Sequence, residues 1–313
     1  MSLTRTFCVA YGAQRLRAGF AVAGKGTDYK KLLERIAFEA DGRPCKPVGS
    51  WTRNKLALIA YYLPAFARLC QDRAGGWYFV DGFAGNGANR TDGFPLAKGS
   101  ALLGVTTEPS AKLSLLCEIS GPDSRILRER CEPYAERVQV IQRDANEVLP
   151  IELRRLENRH LPGFCILDPH GLELDWSTVK ACAEHRLGRY PYELLIYFST
   201  PGSARSAGVT AEGYADININ RLNRTFGNAG WKVTAELQQS GRLPVGEAGK
   251  RYLALYEEQL RDLGYTTVLK RPAIRYDGNL VYHLVFASAN DAGRNIMTDA
   301  VKNAFAVQPP LQI

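Results

Sequence analysis

The densest chemistry in the sequence lies in Tyr78-Phe79-Val80-Asp81-Gly82-Phe83-Ala84-Gly85-Asn86-Gly87. Three glycines follow a short apolar run, a pattern that lets backbone approach a ligand closely or take up positive φ. Gly82, Gly85 and Gly87 have GxxGxG spacing, which does not match the GxGxxG fingerprint of dinucleotide sites. Asp81, where the run ends, is a carboxylate suited to an α-ammonium group such as that of methionine. By itself the stretch can also be only a tight turn.

Two further acids close similar apolar runs. Glu118 follows residues 113–117 and can accept both hydroxyl protons of a ribose. Asp144 follows residues 138–141, with Ala145 and Asn146 beside it, and suits an adenine amino group. Acids often open loops after strands, but three at successive strand ends point to an adenosyl ligand along one sheet edge. Asp168-Pro169-His170-Gly171 follows residues 164–167, where the acceptor of a transferred group would lie. Asp168 would face that acceptor. His170 can serve as a general base near neutral pH, or be a loop histidine with one structural hydrogen bond. Farther on, Arg205 suits an anionic group, phosphate included, and is equally a solvated loop residue.

These residues need elements that bring the ends of their runs to one edge. Apolar β-prone runs at 77–80, 113–117, 138–141, 164–167 and 194–198 alternate with helical stretches at 100–105, 123–135, 146–156 and 176–185. That alternation predicts a mostly parallel sheet covered on both faces. A helix is expected from Ser50 or Thr52 through about Cys70, kinked or broken near Leu63 by Pro64. Later, 253–263 reads as helix, 266–269 and 280–287 as strands around Asp277-Gly278, and Asn290 or Asp291 as the cap of a last helix through about Phe305. Five parallel strands followed by a hairpin suit an α/β, Rossmann-like class I methyltransferase sheet, and so S-adenosyl-L-methionine as cofactor. Residues 1–50 read as an N-terminal extension, and 51–313 as the cofactor-binding domain.

The composition fits a globular chain. Of 313 residues, 45% are hydrophobic and 23% charged, enough to build a core without metals or disulfides. Forty Lys and Arg against thirty-two Asp and Glu give a net charge of +8, which suits nucleic acid or serves solubility alone. Arg221, Arg224, Lys232 and Arg242 concentrate that charge after the fifth run. The seven cysteines include no CxxC pair, so neither zinc nor redox chemistry is signalled, and a reducing, cytoplasmic setting fits. No apolar run reaches the ~20 residues of a membrane span, and no clear secretory signal opens the chain. His160, His185 and His283, and the four tryptophans, read as structural residues.

Taken together, the sequence resembles the three-Cys-motif partner family, a group of methyltransferase-like proteins. The resemblance rests on Lys55, Tyr78 to Gly87, Gly99-Ser100, Leu167-Asp168-Pro169-His170-Gly171-Leu172, Leu195 to Ser199 with Arg205, and Val285 to Ala289 with Asn290 and Gly293. It covers roughly residues 50–305. Asp168-Pro169-His170-Gly171 is also similar to the Asp-Pro-Pro-aromatic motif of amino methyltransferases, with His170 and Gly171 in place of the second proline and the aromatic ring. The family resemblance implies a Rossmann-like fold and a partner protein carrying three cysteines. The expected activity is methyl transfer from S-adenosylmethionine, with nucleic acid as one acceptor class. A non-catalytic nucleic-acid-binding subunit with the same fold is the alternative.

Overall fold

The structure, a computed structural model, describes residues 26–49, 51–91, 94–208, 215–275 and 278–304. Its centre is a seven-stranded sheet: β1 (Tyr78–Asp81), β2 (Leu113–Cys117), β3 (Val138–Ile141), β4 (Gly163–Leu167), β5 (Glu193–Phe198), β6 (Thr267–Ile274) and β7 (Leu280–Ser288). Its helices, in chain order, are α1 (Gly26–Ile36), α2 (Thr52–Ala74), α3 (Ser100–Val105), α4 (Gly121–Cys131), α5 (Ala145–Arg155), α6 (Trp176–Glu184), α7 (Thr200–Gly208), α8 (Ala215–Phe226), α9 (Trp231–Gln239), α10 (Val245–Asp262) and α11 (Asp291–Ala304).

The strands lie in the order β3-β2-β1-β4-β5-β7-β6. β1 to β5 pair in parallel, and β7 is antiparallel to both β5 and β6. This is the class I methyltransferase form of the Rossmann-like fold. The order reverses between β1 and β4, so their carboxyl ends flank the topological switch point where ligands of open α/β sheets bind.

Alternation along the strands explains the three layers. Tyr78, Val80, Cys165, Leu167, Leu194 and Ile196 pack in one core with residues of α5 to α10. Phe79, Phe164, Ile166, Leu195 and Tyr197 point the other way, into a second core with α1 to α4 and α11. A period of two with both sets apolar is what a sheet covered on both faces requires. α1 contributes Leu32 and Ile36 to the second core, so the described part of the first fifty residues packs on the body.

Three expectations are corrected. α2 is not broken at Leu63; it runs without interruption from Thr52 to Ala74. Pro64 has no N–H for the Ala60 carbonyl, and Arg35 Nη1 of α1 donates to that oxygen at 3.4 Å instead. β6 extends well past Leu269 because it is the edge strand, where Pro272 costs no ladder hydrogen bond to an outer neighbour. Thr52 is the first helical residue of α2 rather than its cap, and Ser50, Asp277 and Phe305 lie outside the described residues. Asn290 caps α11, its Oδ1 accepting from Ala292 N at 2.9 Å.

The sheet also buries a carboxyl group. Glu193, at the start of β5, accepts hydrogen bonds from Tyr62 Oη of α2 and from Ser288 Oγ at 2.8 Å. Burial pushes its carboxyl up to about 7, with the two hydroxyls opposing. A raised folded-state value means the stabilising form is protonated, so this stability is complete below the unfolded value and is lost as pH rises through about 7. Glu193→Gln removes the titration but keeps an oxygen acceptor. Urea unfolding between about pH 4 and about pH 8 should therefore favour the variant over wild type by roughly 2 kcal/mol more at the alkaline end. Parallel stability curves for the two proteins would contradict this role for Glu193.

Candidate functional site

The glycine loop is set by hydrogen bonds from the strands on either side. Gly82 N donates to Ile166 O at 3.0 Å, and Ala84 N to Cys117 O at 2.9 Å. A Cβ on Gly82 would lie 3.0 Å from Leu167 Cδ2, so the turn packs directly on β4. Gly85 and Gly87 take φ of +60° and +87°, which glycine alone adopts without strain.

Arg130, at the end of α4, clamps this loop to the segment that precedes α2. Its side chain is 2% exposed. Nε and Nη2 donate to the two oxygens of Asp41 at 2.8 and 3.0 Å, a bidentate pair. Nη1 donates to Asn86 O at 2.7 Å within the loop, and Nη2 also reaches Pro44 O at 3.2 Å. Asn86 Nδ2 meets the same Pro44 carbonyl at 3.2 Å. The Arg130 hydrogen bonds hold the Asp41 carboxyl down at about 2. Lys46–Pro47 then pairs in parallel with Ala88–Arg90, continuing the clamp as a short sheet.

A cavity of about 530 Å³ opens at the carboxyl ends of β1 to β4. Gly82, Glu118, Asp144, Ala145 and His170 line it. Glu118 is 8% exposed, and its Oε1 accepts from Ser120 N at 2.7 Å. Asp144 also caps α5, its Oδ1 accepting from Asn146 N at 2.8 Å. Ile119 and Ile217, 69% and 55% exposed, line the same cavity and offer it apolar surface that solvent now covers. One face of α8 contributes Ile217, Asn220, Arg221 and Arg224, at spacings of three and four. Arg143 and Lys46 bring further positive charge.

Asp81 and Asp168 stand apart from the cavity lining. Asp81 is fully buried; Oδ1 accepts from Phe83 N at 3.0 Å, while Oδ2 has no partner of hydrogen-bonding geometry. Burial raises its carboxyl to about 7, opposed by the Ser100 hydroxyl and the Phe83 amide. Asp168 Oδ2 is paired with Lys55 Nζ of α2 at 2.5 Å. The same ammonium lies 4.7 Å from the ring centre of Tyr197. His170 is exposed, and its backbone N donates to Glu173 Oε2 at 3.1 Å.

The structure thus brings five of the sequence-derived residues to one cavity, with Gly85 and Gly87 shaping its loop. Asp168 belongs to the Lys55 side. Sequence reasoning missed Lys46, Ile119, Arg130 and Ile217. Ile119 directly follows Glu118, and that adjacency was the available signal. Arg205, expected in a loop, lies exposed in α7. His283 is structural, its Nδ1 bonded to Thr200 Oγ1 at 2.7 Å. Trp77 and Trp231 are buried in the cores. No helix among the described residues is long and apolar enough to cross a membrane.

No protein-family model and no curated protein matches the chain. Among solved structures it is similar to Trm1 from Pyrococcus horikoshii with S-adenosyl-L-methionine. The two share 13% identity over 83% of this chain and 61% of that one, at a TM-score of 0.41. An rRNA methylase from Streptococcus thermophilus is similar at 13% identity, over 74% of this chain and 90% of that one, TM-score 0.33. TYW2 from M. jannaschii in complex with AdoMet is similar at 13% identity, over 67% of each chain, TM-score 0.32. Similarity this remote leaves the fold to be read from the strand order.

Arg130→Met should cost about 2–4 kcal/mol in urea unfolding, because Asp41, Asn86 and Pro44 lose a buried donor together. Asp41→Asn, which leaves the Asn86 and Pro44 carbonyls served, should cost less. Equal losses in the two variants would mean that the loop contacts add nothing to the ion pair.

Proposed function

We propose that the cavity binds S-adenosylmethionine and that the chain is a methyltransferase whose acceptor approaches Asp168. The observation that carries this is convergence: the glycine turn, Glu118 and Asp144, each after a different strand, meet at one cavity beside the switch point. The site's own chemistry fits the group. Asp81 has a buried oxygen without a partner of hydrogen-bonding geometry, suited to an ammonium, and Gly82 brings bare backbone to the cavity wall. Glu118 has one oxygen engaged by Ser120 and one left for ribose hydroxyls. Ile119 and Ile217 supply apolar contact for an adenine ring, and Asp144 an acceptor for its amino group.

The bound cofactor supplies an electrophilic methyl group. Lys55 pairs with Asp168 and fixes its direction, so that the carboxylate accepts a hydrogen bond from an incoming amine. The exposed imidazole of His170, at the cavity wall, is placed to take up a proton. Most of the rate gain comes from alignment rather than from proton transfer.

Finer parts of the reading have their own support. Arg143, Arg221 and Arg224 around the cavity, with the net charge of +8, favour a nucleic-acid acceptor. A three-Cys-motif partner follows from the resemblance over residues 50–305. The non-catalytic alternative draws on the Lys55–Asp168 pair, which occupies the carboxylate that an acceptor would need. It separates from the first reading by salt-sensitive nucleic-acid binding without transfer of label from the methyl group.

Titration calorimetry with S-adenosylmethionine tests the core of the proposal. Wild type should bind, and Glu118→Ala should bind about tenfold to a hundredfold more weakly. Affinity should also fall as pH drops below about 7, because protonated Asp81 cannot pair with the ammonium. A wild type that does not bind, or a Glu118→Ala variant of unchanged affinity, overturns the reading.

A further inference from the structure

Lys46 precedes the Rossmann-like domain in sequence, yet it lines the cavity together with Gly82, Phe83 and Glu118. It is held there by the parallel pairing of Lys46 with Asn89 and, one step earlier, by the Arg130 clamp on Asp41 and Pro44. Its stem runs beside the glycine loop: a Cβ on Gly85 would lie 3.7 Å from Lys46 Cδ and 3.8 Å from Nζ. Asp123 faces the ammonium at 3.7 Å, too long for a hydrogen bond. Its charge is balanced, while its N–H donors make no hydrogen bond to the described residues. Two other cations at the cavity are engaged more closely: Arg143 with Glu147 at 3.2 Å and Arg224 with Asp175 at 2.8 Å.

The remaining cavity cation, Arg221, belongs to α8. Next to the glycine loop lie one anionic group, the buried Asp81, whose Oδ2 has no partner of hydrogen-bonding geometry, and one cationic group with unused donors, Lys46. Those are the two charges that a zwitterionic amino-acid head requires. We infer that Lys46 binds the α-carboxylate of the cofactor's amino-acid end, so that the segment before α2 completes the cofactor site. This rests on the cofactor reading above and assigns it a residue outside the Rossmann-like domain.

Titration calorimetry with two ligands, S-adenosylmethionine and its decarboxylated analogue, tests the assignment. Lys46→Met should weaken S-adenosylmethionine about tenfold and the analogue less than about twofold, because only the former has the carboxylate. Lys46→Arg, which keeps the charge, should hold S-adenosylmethionine within about threefold of wild type. It provides a second readout should the Met variant melt early. Equal weakening of both ligands would mean that Lys46 only supports the loop, and overturns the assignment. So does unchanged affinity in Lys46→Met, a result that leaves the cofactor reading standing. A wild type that binds neither ligand overturns both.

Discussion

A buried guanidinium holds this molecule's site together. Arg130 comes from α4, yet its donors are spent on Asp41 and Pro44 on one side and on Asn86 on the other. A charge with 2% exposure is tolerable only when it is fully paired, so the three segments must meet whenever the domain is folded. The glycine loop thereby acquires a fixed outer wall, and the chain before α2 becomes part of the site. Arg35 acts similarly at the other end of that chain, taking the carbonyl of α2 that Pro64 leaves without a donor.

Much of this arrangement was legible in the sequence. Strands β1, β2, β4 and β5 were visible because both faces are buried, giving short apolar runs, while the edge strand β3 kept only a β-prone run around the exposed Gln139. An acid ends or follows each of the first four. The position of those acids at one sheet edge follows from parallel strands alone, so Glu118 and Asp144 could be placed before any coordinates. Helices α7 to α9 were not legible. α7 buries Thr200, Ser203, Ala204 and Ala207, small side chains that leave no apolar stripe. Lys46 and Arg130 escaped for a different reason: their roles depend on contacts some forty to ninety residues away in sequence, such as Arg130 with Asp41.

The site divides into two compartments with different electrostatics. On the cavity side, Glu118 and Asp144 present carboxylates within a rim that also has Lys46, Arg143, Arg221 and Arg224. On the other side, Asp168 is tied to Lys55 above the Tyr197 ring. Asp81 is absent from the cavity lining, and its carboxyl is raised by burial and, more weakly, by Asp168. A ligand ammonium there would relieve an unpartnered oxygen and lower the carboxyl at the same time.

The most direct measurement of the central claim is a crystal structure of the protein soaked with S-adenosylhomocysteine. The expected result places the ribose hydroxyls within hydrogen-bond reach of Glu118, the adenine beside Asp144, and the α-ammonium at Asp81. Density for the ligand in another place, or an empty sheet edge at saturating ligand, would contradict it.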